Sequence, residues 1–85
     1  MFKHPSVYIL ADELNGTLQI GMASSLTEGL REHLGEGTDK LVWYEIHECL
    51  AAAQEHAQIL KDEDRDSIRK MIERTNPDWK DLYKE

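Results

Sequence analysis

Four histidines (His4, His33, His47 and His56), one cysteine (Cys49) and seventeen acidic residues are the side chains of this 85-residue chain that could hold a metal or carry a proton. Zinc ligands usually come in pairs, with His at i, i+4 or Cys joined in short steps. None of the four histidines is paired in either way, so spacing alone predicts no zinc site. A single cysteine excludes an intramolecular disulfide and fits a reducing, cytoplasmic setting. With no second cysteine beside it, Cys49 reads as a small, partly buried residue at a helix start. Acids outnumber bases by seventeen to ten, a net charge of −7. Nucleic-acid binders place Lys and Arg against phosphates and release counterions. An acidic chain can do this only through a local basic patch, against a field that repels the ligand as a whole. The charge therefore predicts weak nucleic-acid binding by the isolated chain, and leaves a protein partner or a homodimer as the other class of interaction.

Eighty-five residues make one small domain, 1–85. A chain of this size buries only about 60–65% of its unfolded surface, enough for one core. No apolar run is long enough for a transmembrane helix, and the N-terminus lacks a basic segment followed by an apolar one, so no membrane association is expected. The strongest local signal is Asn15-Gly16 between the apolar runs Val7-Tyr8-Ile9-Leu10 and Leu18-Gln19-Ile20-Gly21-Met22. Asn-Gly in that setting predicts a hairpin, because a type I′ turn needs positive φ at both central residues. Strands are expected over residues 6–11 and 17–23, with 12–16 as the turn region. Ser24 and Ser25 are good N-caps, and with Glu28 they approach a capping box. Leu26, Leu30 and Leu34 follow at spacing four, so a helix is expected over 26–34, ended by Gly35. A third strand is expected over 40–47, where Val42, Trp43 and Tyr44 favour β-structure. Strict alternation would put Val42, Tyr44 and Ile46 on one face and Leu41, Trp43, Glu45 and His47 on the other. Two further helices are expected over 49–61, with Ala53, Ala57 and Leu60 inward, and over 65–74, with Ile68, Met71 and Ile72 inward. Pro77 opens a last turn carrying Trp79, Leu82 and Tyr83, which should fold back onto the body. The order is β-β-α-β-α-α, an α+β fold.

Three stretches carry a family resemblance: Val7-Tyr8-Ile9; Gln19-Ile20-Gly21 leading through Met22-Ala23-Ser24-Ser25 to Leu26; and Asn76-Pro77-Asp78-Trp79-Lys80-Asp81-Leu82-Tyr83. With Leu41-Val42-Trp43-Tyr44-Glu45 as a third strand, nearly the whole chain resembles the GIY-YIG nuclease superfamily, in its small single-domain branch, which is similar to an excinuclease N-terminal domain. The resemblance implies a three-stranded antiparallel sheet flanked by helices. It also implies an endonuclease ancestry in which one divalent metal, such as Mg²⁺, assists phosphodiester cleavage.

The site that the resemblance implies is only partly present. Tyr8 stands at the first tyrosine position and Gly21 at the family glycine. Gln19 replaces the second tyrosine and lacks a phenol to ionise. The arginine that would meet the charge developing on the phosphate falls on Gly29. Arg31 is two residues further, about 200° around a helix, and so on nearly the opposite face. The residue before the missing arginine, often basic in the family, is Glu28. His33 matches the family histidine and Asn76 the late asparagine. Aligning on Gln58-Ile59 puts His56 at the position of the metal-holding glutamate, with Glu55 one residue and about 100° away. The expectation is a degenerate, catalytically silent binding or interaction module. The alternatives are an active divalent-metal endonuclease using Gln19, Arg31 and Glu55 in displaced roles, or an acidic homodimeric partner protein.

Overall fold

A computed structural model describes residues 4–12, 16–24 and 39–82. Within them the chain forms β1 (Ser6–Asp12), β2 (Leu18–Ala23), β3 (Asp39–Ile46), α1 (Leu50–Asp62) and α2 (Arg65–Thr75). The strands make an antiparallel sheet in the order β2-β1-β3, giving the α+β fold expected from the sequence. The helix expected over 26–34 lies outside the described residues, and so do Asn15 and Tyr83. Among the described residues, no helix is long and apolar enough to cross a membrane.

The central strand explains its own sequence. β1 has a strand on each side, and every residue from Ser6 to Ala11 is buried. A strand covered on both faces needs a continuous apolar run rather than alternation, and Val7-Tyr8-Ile9-Leu10-Ala11 supplies one. Its odd-numbered residues, Val7, Ile9 and Ala11, join the larger core with Ala53, Ala57 and Leu60 of α1 and Ile68 and Ile72 of α2. Its even-numbered residues, Tyr8 and Leu10, join Leu41, with Ala23 and Leu82 packed against them, on the opposite face. Both described helices thus cover the odd face. The small residues Ala53 and Ala57 let α1 lie close to the strands. Asp64 caps α2 by accepting a hydrogen bond from the Ser67 N–H at 2.7 Å. That bond holds the Asp64 carboxyl below its usual range, because it favours the ionised form.

The hairpin connection is longer than the Asn-Gly signal suggests. A two-residue turn at Asn15-Gly16 would pair Leu14 with Thr17 and set Tyr8 opposite Ala23. Instead Ala11 faces Leu18, Tyr8 faces Gly21, and the Asp12 N–H donates to the Thr17 carbonyl at 3.0 Å. The ladder therefore ends at Asp12, where the Gly16 N–H donates to the Asp12 carbonyl at 2.8 Å. Gly16 has φ +69°, a left-handed conformation that glycine adopts at no steric cost. The register is selected by packing. A Cβ on Gly21 would lie 2.5 Å from Cζ of Tyr8, so the ring of Tyr8 occupies the place of the missing side chain.

Strand β3 breaks the expected alternation. Ile9 faces Trp43, but Leu10 faces Leu41, so Val42 is an extra residue in the ladder. Such a bulge turns two successive side chains toward one face. Val42 and Trp43 both enter the larger core, while Leu41 points to the Tyr8 face. The expected split of Val42 from Trp43 is therefore wrong, and Leu41 and Trp43 lie on opposite faces. Cys49 also departs from expectation. It is the N-cap residue of α1, at the exposed end where the chain leaves β3, and its thiol is exposed rather than partly buried.

Candidate functional site

Among the described residues, those singled out by the sequence fall on the two sides of the sheet. Tyr8 and Gln19 lie on paired strands, and the register puts Gln19 opposite Leu10, on the even face with Tyr8 and Gly21. Tyr8 is buried and Gln19 exposed. Glu55 and His56 belong to α1, which covers the odd face. The sheet therefore separates Glu55 and His56 from Tyr8, Gln19 and Gly21. Gly29, Arg31 and His33 lie outside the described residues.

Asn76 ends α2, and its side chain is committed to the main chain. Its Nδ2 donates to the carbonyls of Val42 at 3.1 Å and Lys80 at 2.9 Å, and its Oδ1 accepts from the Lys80 N–H at 3.0 Å. The first of these bonds satisfies the carbonyl of the bulge residue itself. The others fold the terminal turn back, as the sequence predicts. Trp79 adopts a left-handed φ of 55° there, unusual for a bulky residue. It is held by its N–H on the Asn76 carbonyl at 3.0 Å and its indole N–H on Glu73 at 3.1 Å. Beyond it, the Leu82 N–H bonds the Leu41 carbonyl and the Leu41 N–H bonds Asp81, so the terminal segment covers the outer edge of β3.

A second polar cluster forms at the C-terminal end of β3. Glu45 and His47 are two residues apart on an extended chain and so share a face. That is the face of Trp43, on which α1 packs. His56, on the second turn of α1, meets them. The Glu45 Oε1 is 3.2 Å from Nε2 of His47 and 3.0 Å from Nδ1 of His56, and the two imidazole nitrogens are 3.1 Å apart. The ring of His56 stands edge-on to Trp43, with centroids 5.9 Å apart at 86°. Trp43 is itself buried in the core. The backbone of His47 is fixed by its N–H on the Pro5 carbonyl at 2.8 Å. His47 and His56 are partly buried, and Glu45 faces solvent. Glu55, next in sequence to His56, is exposed and takes no part in this cluster. Sequence spacing missed the cluster because its members come from a strand and a helix. The pattern Glu45-x-His47 on a strand face that is destined to receive a helix was the signal that could have found it.

Basic residues gather in a cleft of about 330 Å³ lined by Lys40, Arg65, Arg69, Asp12 and Trp79 among others. Its arginines are already engaged. Arg65 donates to the Gly16 carbonyl, and Arg69 is 3.8 Å from Asp66. No protein-family model, no curated protein and no solved structure matches the chain.

Proposed function

We propose that the chain is a catalytically silent interaction module built on a GIY-YIG-like fold. One observation carries this reading: the sheet stands between Tyr8, Gln19 and Gly21 on one face and Glu55 and His56 on the other. A metal-assisted phosphodiesterase needs its metal ligand and its substrate-orienting groups around one reacting phosphorus. The side-chain chemistry points the same way. The Asn76 amide is spent on Val42 and Lys80, and the Tyr8 ring fills the space over Gly21. A protein partner suits the surface better than nucleic acid does. The net charge is −7, the arginines of the basic cleft are engaged, and Tyr44 and Ile46 on β3 remain 44% and 57% exposed.

The test is a nicking assay of the purified chain on a mixed panel of DNA and RNA with Mg²⁺ or Mn²⁺. No cleavage above background is expected. Duplex DNA should bind more weakly than about 100 μM near physiological salt, the weak end of ordinary non-specific binding. Metal-dependent nicking abolished by Glu55→Ala would overturn the reading and establish an active endonuclease.

A further inference from the structure

We propose that Glu45, His47 and His56 form a binding site for one divalent transition-metal ion, with zinc the first candidate. The donor atoms Oε1 of Glu45, Nε2 of His47 and Nδ1 of His56 mark a nearly equilateral triangle with sides of 3.2, 3.0 and 3.1 Å. Zinc holds His nitrogen and carboxylate oxygen at about 2.0–2.2 Å, which sets neighbouring donors about 3.3–3.5 Å apart in a tetrahedron and about 3.0 Å apart on the face of an octahedron. The triangle therefore matches the spacing of three ligands around one ion.

Hydrogen bonding alone satisfies this triangle poorly. Each ring nitrogen presents one in-plane direction, as either a donor or a lone pair. Two nitrogens can thus serve at most two of the three edges, and the remaining edge sets donor against donor or lone pair against lone pair. A cation reached by all three donors removes that conflict. The donor set also selects the ion. Two imidazoles and one carboxylate suit zinc and its first-row neighbours, whereas Mg²⁺ and Ca²⁺ prefer all-oxygen sites. The site is built rather than casual. The His56 ring packs perpendicular to Trp43, and the Pro5 carbonyl fixes the backbone of His47. Three protein ligands leave a fourth position for water or for a side chain of a partner, and the solvent-facing side of Glu45 opens to it. The site lies on the odd face of the sheet, apart from Tyr8 and Gln19. It therefore does not depend on whether the chain cleaves nucleic acid.

The experiment uses the full chain, stripped with a chelator and titrated calorimetrically with Zn²⁺. Co²⁺ serves in parallel as a visible-absorbing probe. One equivalent of Zn²⁺ per chain should bind, the thermal midpoint should rise with metal concentration, and Co²⁺ should give the ligand-field bands of a low-coordinate nitrogen–oxygen site. His47→Ala and His56→Ala should each weaken Zn²⁺ binding by about 100-fold or more, beyond the 10–100-fold typical of losing an outer-sphere partner. Glu55→Ala should leave it unchanged. Circular dichroism of the variants checks that they are folded, and Glu45→Gln, which preserves shape, supplies a second test by lowering affinity. Absence of stoichiometric binding would overturn the proposal, and so would equal affinity in the folded His47→Ala and His56→Ala proteins.

Discussion

Strand β3 carries two polar clusters, one at its bulge and one at its C-terminal end, and they are built on opposite plans. At Val42, one buried asparagine meets three main-chain groups, and each bond has a clear donor and acceptor. At Glu45, three side-chain atoms crowd within 3.2 Å of one another, and the donors and acceptors cannot all be matched. The first cluster is 5% exposed at Asn76 and joins α2, the bulge and the terminal turn. The second stands at the rim, with the Glu45 side chain 47% exposed. A buried polar group persists when its partners are complete. A crowded, half-open set of metal-type ligands is better explained by something that it receives. On this comparison Asn76 belongs to the fold, and Glu45, His47 and His56 belong to a function.

The largest expected effect tests the first half of that contrast. Asn76→Ala leaves the Val42 carbonyl, the Lys80 carbonyl and the Lys80 N–H without their partner. Each unsatisfied buried group costs about 1–3 kcal/mol, so a total loss of about 3 kcal/mol is expected once the partly exposed Lys80 groups regain water. Urea unfolding followed by circular dichroism measures it. A loss below about 1 kcal/mol would show that the bulge and the terminal turn do not depend on this side chain.

Gly21→Ala comes next. Its Cβ would fall 2.5 Å from Cζ, 2.6 Å from Oη and 2.7 Å from Cε1 of Tyr8. The ring is rigid and 4% exposed, packed with Leu10 and Leu41, so it cannot swing aside without disturbing that core. Overpacking of this kind costs about 1–3 kcal/mol. The loss should shrink by about 1 kcal/mol or more when Gly21→Ala is made in a Tyr8→Ala background, since residues in contact couple by such amounts. Additive losses would mean that the close approach is not what fixes the register. If the coupling holds, the pairing of Tyr8 with Gly21 is explained by strand packing, with no appeal to catalysis.

These residues also show why the sequence was readable in parts. Strong local signals located the elements. Val7 to Leu10 gave a strand, Ala53, Ala57 and Leu60 gave the buried stripe of α1, and Ile68 and Ile72 gave the inward face of α2. What local signals could not supply was register. The Asn-Gly pair favoured the shorter turn, yet the Tyr8 ring needs Gly21 opposite it, and that contact is invisible until the strands are paired. The bulge at Val42 is likewise set from outside β3, by the Asn76 amide arriving from more than thirty residues downstream. The candidate metal ligands were hidden for the same reason. Histidine spacing carries information only within a single element, whereas Glu45 and His47 meet His56 across the interface of strand and helix.

The smallest expected effect tests the second half of the contrast, in the absence of metal. If the Glu45 cluster serves a ligand, the fold should hardly need it. His47→Ala removes the Nε2 contacts to Glu45 and His56, but it leaves the core around Trp43 and the main-chain bond from residue 47 to the Pro5 carbonyl. Polar contacts at a solvent-facing carboxylate are worth about 0–1 kcal/mol, because water replaces what is lost and two side chains regain freedom. Urea unfolding of the chelator-treated protein should therefore show a loss below about 1 kcal/mol, well under that of Asn76→Ala. With Zn²⁺ added, the unmodified chain should gain stability by mass action and the His47→Ala chain should not, so the gap between the two curves widens with metal concentration. A loss of about 3 kcal/mol without metal would place the cluster beside Asn76 as part of the scaffold, and the distinction between the two clusters of β3 would fail.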